Sequence, residues 1–86
     1  MRVLIPSPLR SYTGGLAEIE ARGANVAAVL ADLERQFPGI RFRMVDEQGR
    51  VRSHIKVFVG GEQRDHLDAE VAAGADVQIV AALSGG

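Results

Sequence analysis

Apolar and polar positions alternate at the start of the chain. In "RVLIP" (Arg2 to Pro6), Val3 and Ile5 fall on one side and Leu4 on the other, which is the two-residue period of a strand. Pro6 and Pro8 end it, because neither has an N–H to give to a ladder. "LRSYTGG" reads as a loop in which Gly14-Gly15 supplies positive φ. "LAEIEAR" (Leu16 to Arg22) alternates again, with Ala17, Ile19 and Ala21 opposed to Leu16, Glu18 and Glu20, and predicts a second strand. The period then changes. In "GANVAAVLADLERQFPG" the apolar residues Val26, Val29, Leu30, Leu33 and Phe37 share one face of a helix. Asn25 suits its N-cap, and Pro38-Gly39 is a stop signal. Asp32, Arg35 and Gln36 lie on its opposite face.

"IRFRMVDEQGRVRS" carries no clear period and reads either as a short strand or as an irregular link around Asp46 to Gly49. "HIKVFVGGEQ" predicts a strand with Ile55, Val57 and Val59 on one face and Lys56 and Phe58 on the other. Gly60-Gly61 is a hairpin turn, and Glu62 to Asp65 a short return. Leu67 and Val71 suit a short turn of helix. "VQIVAAL" predicts the last strand, with Val77 and Ile79 facing one way and Gln78 and Val80 the other. Two strands, a helix crossing the sheet and then further strands is a β-grasp arrangement, an α+β fold. One main helix packs on one face of a mixed sheet of four to five strands, and the first and last strands are central neighbours. The expected organisation is a single domain over residues 1–83, followed by a short tail, residues 84–86.

Composition narrows the function. The chain has 86 residues, a formal net charge of -1, and 24% charged residues of both signs. That excludes the basic face of a nucleic-acid binder. No apolar run approaches the length of a membrane span, and the N-terminus lacks a secretory pattern, so the expected compartment is the cytoplasm. The sequence has no cysteine, which removes disulfides, thiolate metal sites and a Cys nucleophile. His54, His66, Asp65 and Asp68 lack metal-ligand spacing and read as polar residues at strand and loop ends. Ser7, Ser11, Ser53 and Ser84 lack a nucleophile elbow. No catalytic constellation emerges, and the expectation is a protein that is not an enzyme.

One feature is left over. Gly14-Gly15 and Gly60-Gly61 sit between strands, where turns explain them, but Gly85-Gly86 follows the last strand. Two residues without Cβ make a thin arm able to thread a narrow channel, with the terminal carboxylate unhindered toward a nucleophile. Phe58 and Val80 point away from the helix and form the expected partner interface, together with Leu9.

A β-grasp domain ending in Gly-Gly resembles the ubiquitin-like sulfur carriers of the MoaD/ThiS family, over essentially the whole length. "VLIPSPLRSYTGG" is similar to the Ile-Pro-x-x-Leu-Arg…Thr-Gly-Gly stretch of the branch that serves cysteine synthesis. "AVLADLERQFPGI" looks like the family's helix and exit. "VFVGGEQ" resembles its V-x-V-N-x-E hairpin, with Gly60 in place of Asn. "GADVQIVAALSGG" resembles its G-D-x-V-x-I-x-P-x-x-x-GG ending, with Ala75 inserted before Asp76 and Ala81 or Ala82 where Pro is common. The resemblance implies a carrier whose tail, Ser84, Gly85 and Gly86, presents the Gly86 carboxylate. An ATP-dependent, ubiquitin-activating-type partner would adenylate it, and sulfur would then give a thiocarboxylate delivered to an acceptor enzyme. ATP would be used by the partner, and the carrier itself would bind no cofactor or metal. The expected destination of the sulfur is cysteine biosynthesis. Delivery to molybdopterin or thiamin, or attachment through Gly86 to target lysines as a protein modifier, are the alternatives.

Overall fold

The computed structural model describes residues 1–82. Its strands are β1 (Arg2–Leu4), β2 (Glu18–Glu20), β3 (Ile55–Val59), β4 (Glu62–Gln63) and β5 (Val77–Ala81), and its helices are α1 (Val26–Gln36) and α2 (Ile40–Met44). The strands form one five-stranded sheet in the order β2-β1-β5-β3-β4. β1 and β5 pair in parallel through Val3–Val77 and Leu4–Gln78, and every other neighbour is antiparallel. Parallel neighbours need a crossover, and the rest of the chain provides it. The first and last strands therefore lie side by side within the sheet, as the β-grasp order of elements predicts.

β1 and β2 are shorter than "RVLIP" and "LAEIEAR" suggest. Their pairing nonetheless runs on at both ends, with the Ile5 N–H bonded to the Ala17 carbonyl at 2.8 Å and the Ala21 N–H to that of Met1 at 3.0 Å. One face of the sheet carries Val3, Ile19, Val57, Val77 and Ile79, all buried. Against them α1 sets Val26, Val29, Leu30 and Leu33. The Asn25 Oδ1 accepts the Ala28 N–H at 2.8 Å and starts the helix, the cap its sequence position implies. At the other end Phe37 leaves the helical stripe to become the C-cap, still packed against the core. Gly39 then turns the chain with φ 99°.

Two segments differ from expectation. "IRFRM" is neither strand nor loop but the short helix α2. Ile40 and Met44, four residues apart, are both fully buried. The Glu34 carboxylate accepts the N–H groups of Gly39 and Arg41, each at 2.9 Å, across the junction with α1. The irregular link around Asp46 to Gly49 does appear: Asp46 Oδ1 accepts the N–H groups of Gln48 and Arg50, and Val45 bridges Val51.

The turn of helix expected at Leu67 and Val71 is absent. That stretch instead makes one tight turn, with the Ala69 N–H bonded to the His66 carbonyl at 3.2 Å, and runs on beside the start of α1, where the Ala69 and Leu67 carbonyls accept the N–H groups of Val26 and Ala27 at 2.9 and 2.8 Å. The first N–H groups of a helix have no partner within it, and satisfying them outweighs forming a second helix here.

Candidate functional site

β5 leads to the candidate site. It is bonded on both sides, to β1 and β3, and its pairing continues past its last residue, because the Ala82 N–H donates to the His54 carbonyl at 2.7 Å. The residues beyond, including the expected tail Ser84, Gly85 and Gly86, lie outside the described residues. The sheet thus anchors the chain as far as Ala82.

The sheet face turned away from α1 carries the expected interface. Strand register aligns Glu18, Leu4, Gln78, Phe58 and Gln63 in one row across all five strands. Phe58 is half-buried between Gln78 and Gln63, with both glutamines exposed. In the next row of this face Val80 pairs with Lys56. Leu4 and Val80 also line a shallow groove of about 370 Å³ that Pro6 and Arg10 border. Phe58 and Val80 therefore share one face, which among the described residues neither α1 nor α2 covers. Leu9 does not join them. The 3-10 turn Ser7–Leu9 directs it inward, and at 5% exposure it belongs to the core.

A second surface lies at the end of the sheet from which β5 departs. There α2, the loop after Pro6 and the last residues of β5 enclose a groove of about 630 Å³ lined by Tyr12, Phe42, Arg43, Arg52, His54 and Ala82, among others. Phe42 is 56% exposed, one of two large apolar residues left open among the described residues. The Arg52 guanidinium lies 4.7 Å from the Phe42 ring centre, and its Nε donates to the Phe42 carbonyl at 2.8 Å. Arg43 is held in the same way by Tyr12: its Nε donates to the hydroxyl at 2.6 Å, and its guanidinium stands 5.8 Å from the ring centre. Sequence reasoning passed over this groove. Its signal was the alternation of arginine with apolar residues in "IRFRM" and "RVRS", which looks like a strand until Ile40 and Met44 are recognised as a helical pair.

The titratable residues singled out in the sequence have structural surroundings. Burial pushes the Asp65 carboxyl up, but N–H donation from Val57 and Gln63 outweighs it and holds the group below the ordinary carboxylate range. His66 and Asp68 are exposed. Among the described residues no group of three or more His, Cys, Asp and Glu side chains is placed to hold a metal ion, and no helix is long and apolar enough to cross a membrane. What the arrangement offers is two open surfaces, one on the sheet face that holds Phe58 and Val80 and one at the end where β5 reaches Ala82.

A mixed sheet with its first and last strands at the centre and one main helix across one face defines a ubiquitin-like β-grasp protein. The chain belongs to the ThiS family, whose model matches residues 3–86. It is 34% identical to the sulfur carrier protein CysO of Mycobacterium tuberculosis, over 98% of this chain and 96% of that one. Among solved structures it matches one titled as the BexX/CysO complex of Amycolatopsis orientalis, with a TM-score of 0.90, 38% identity, and 99% and 98% of the two chains covered. It also matches M. tuberculosis CysO, described as an antigen, with a TM-score of 0.88, 32% identity, and 95% and 98% coverage.

Proposed function

We propose that this protein is a sulfur carrier that works through the carboxylate of Gly86, with cysteine biosynthesis as the destination of the sulfur. The observation that supports this most is the family match reaching residue 86, on a fold whose central strand β5 leads to Gly85-Gly86. A carboxylate resists nucleophilic attack because of its charge. In the proposed sequence a Gly86 carboxylate oxygen attacks the α-phosphorus of ATP on an activating enzyme, and pyrophosphate leaves. A sulfur nucleophile then adds to the acyl carbon, and AMP departs with the original carboxylate oxygen. The thiocarboxylate so formed gives its sulfur to an acceptor enzyme. The carrier contributes no catalytic group: it supplies a terminus narrow enough to enter an active site, and surfaces that hold it there.

The open sheet face centred on Phe58 and Val80 is the proposed grip for the activating enzyme. That a relative has been crystallised in a complex with BexX supports protein partners as the mode of action. A process that consumes ATP fits the cytoplasm.

Intact-mass measurement tests the reading. After incubation with ATP, a sulfide source and the activating enzyme, the chain should gain the mass difference between sulfur and oxygen, and a chain lacking Gly85-Gly86 should gain nothing. Covalent adducts to other proteins would indicate a modifier instead. An unchanged mass, with full function retained after removal of the two glycines, would end both readings.

A further inference from the structure

We propose that the groove between α2 and the departing end of β5 docks a carboxylate-rich segment of the activating enzyme. This rests on the carrier reading, because an enzyme that takes in the tail must face the end of the domain from which β5 leaves. The groove opens at that end, with Ala82 in its lining.

The groove is built for carboxylates. Each of its two arginines is braced by an aromatic ring and by one Nε hydrogen bond, Arg52 by Phe42 and Arg43 by Tyr12. Among the described residues neither has a carboxylate within salt-bridge distance, although Arg2, Arg35, Arg50 and Arg64 all do. A guanidinium fixed through Nε keeps its terminal nitrogens for another partner, and its planar fork matches a carboxylate. His54 adds a third basic side chain, while Glu47 is the acidic residue in the lining. The exposed Phe42 ring offers an apolar contact beside the charges, the mixture of aromatic and arginine found at protein interface centres.

The distribution of charge points the same way. Residues 41–56 hold Arg41, Arg43, Arg50, Arg52 and Lys56 against Asp46 and Glu47. Residues 62–76 hold Glu62, Asp65, Asp68, Glu70 and Asp76 against Arg64. The register sets β4 and Asp76 at the start of β5, and Arg52 and His54 near its end. The domain is thus acidic where β5 begins, although Arg2 pairs with Asp76 there, and basic where it departs. Such a field orients an approaching partner with an acidic rim, an effect that weakens as salt rises.

Two measurements test the docking site. The first is ATP–pyrophosphate exchange by the activating enzyme at varied carrier concentration. The Arg43→Gln/Arg52→Gln variant should raise the KM for carrier at least about tenfold with kcat unchanged, and should flatten the rise of KM with salt that the wild-type protein shows. A KM and salt response equal to wild type, in a variant with an unchanged circular dichroism spectrum, would overturn the proposal. The second needs neither variant nor enzyme: a titration of the ¹⁵N-labelled protein with hexaglutamate, followed by amide shifts. Shifts should centre on Tyr12, Arg43, Arg52 and His54 and leave Arg2 and Arg35 unmoved. Shifts spread over all arginines, or equalled by inorganic phosphate at the same concentration, would overturn it. Absence of exchange with the wild-type protein would count against the carrier reading, and the titration would still decide the groove.

Discussion

Gly23 sits where no side chain fits. A Cβ there would lie 2.5 Å from the Val29 nitrogen and 2.8 Å from the Ala28 carbonyl carbon. The demand is for close approach of two backbones, and relief would have to come from the first turn of α1. Gly23→Ala is therefore expected to lower stability by about 1–3 kcal/mol, measured by urea denaturation. Glu34 makes a residue-scale argument of another kind. The Gly39 and Arg41 N–H groups hold its carboxyl below the ordinary Glu value of 4.5, with burial opposing and the Arg41 charge assisting. Asp46 is lowered chiefly by the Arg50 N–H, and Asp32 chiefly by Arg35, from the ordinary Asp value of 3.8. In each case the unfolded chain binds the proton more tightly, so stability rises with pH through this range. The contribution is complete above the unfolded values and is lost as the pH falls through the lower folded ones. Denaturant midpoints should hold steady from neutrality down to about pH 5 and then drop. Glu34→Gln should soften the drop, and an identical acid limb in that variant would show that the junction of α1 and α2 is not acid-sensitive.

The β3–β4 hairpin is an element whose chemistry is plain in the sequence. Gly60 and Gly61 have φ of 57° and 87°, the pair of positive values that a two-residue hairpin of this hand requires. A Cβ built on Gly60 would meet the Ala75 Cβ at 3.9 Å, an ordinary van der Waals contact, so backbone strain rather than a clash decides substitution. Gly60→Ala is expected to cost about 1–2 kcal/mol. Gly60→Asn should cost clearly less, since Asn tolerates the left-handed region; equal losses in thermal melts would point to a packing cause instead. Elements of this kind were legible because their signals are local: alternation in β3 and β5, the apolar stripe of α1, the Asn25 cap. α2 was not. Its five residues are too few to show a period, and it exists because Glu34, on the preceding helix, collects the N–H groups of Gly39 and Arg41. The stretch from Leu67 to Val71 was misread for the complementary reason. Its apolar spacing permits a helix, but its carbonyls are needed by α1. The open face around Phe58 follows from strand alternation, whereas Leu9 lies in a loop with no period to orient it, and the 3-10 turn Ser7–Leu9 directs it into the core. The basic groove depends on α2, so it was hidden along with it.

At the scale of the whole molecule the domain presents two surfaces flanking β5, an apolar–amide face centred on Phe58 and a basic end centred on Arg52. Phe58 and Ile55 stand three residue steps apart on β3, about 10 Å at strand rise, and Arg52 lies farther along the chain still. They share no bonded partner: Phe58 is flanked by Gln78 and Gln63, and Arg52 is held by Phe42. Sites separated by this much, without common contacts, contribute independently. If both grip the activating enzyme, each side chain adds its own factor to the apparent affinity. Phe58→Ala should raise the KM for carrier and leave its salt dependence as in wild type, because what it removes is apolar burial. Arg52→Gln should raise KM and reduce the salt dependence. In the double variant the two increases should multiply. A double variant no weaker than the stronger single one would mean that the two residues act through one contact, and that the enzyme engages a single surface of the domain.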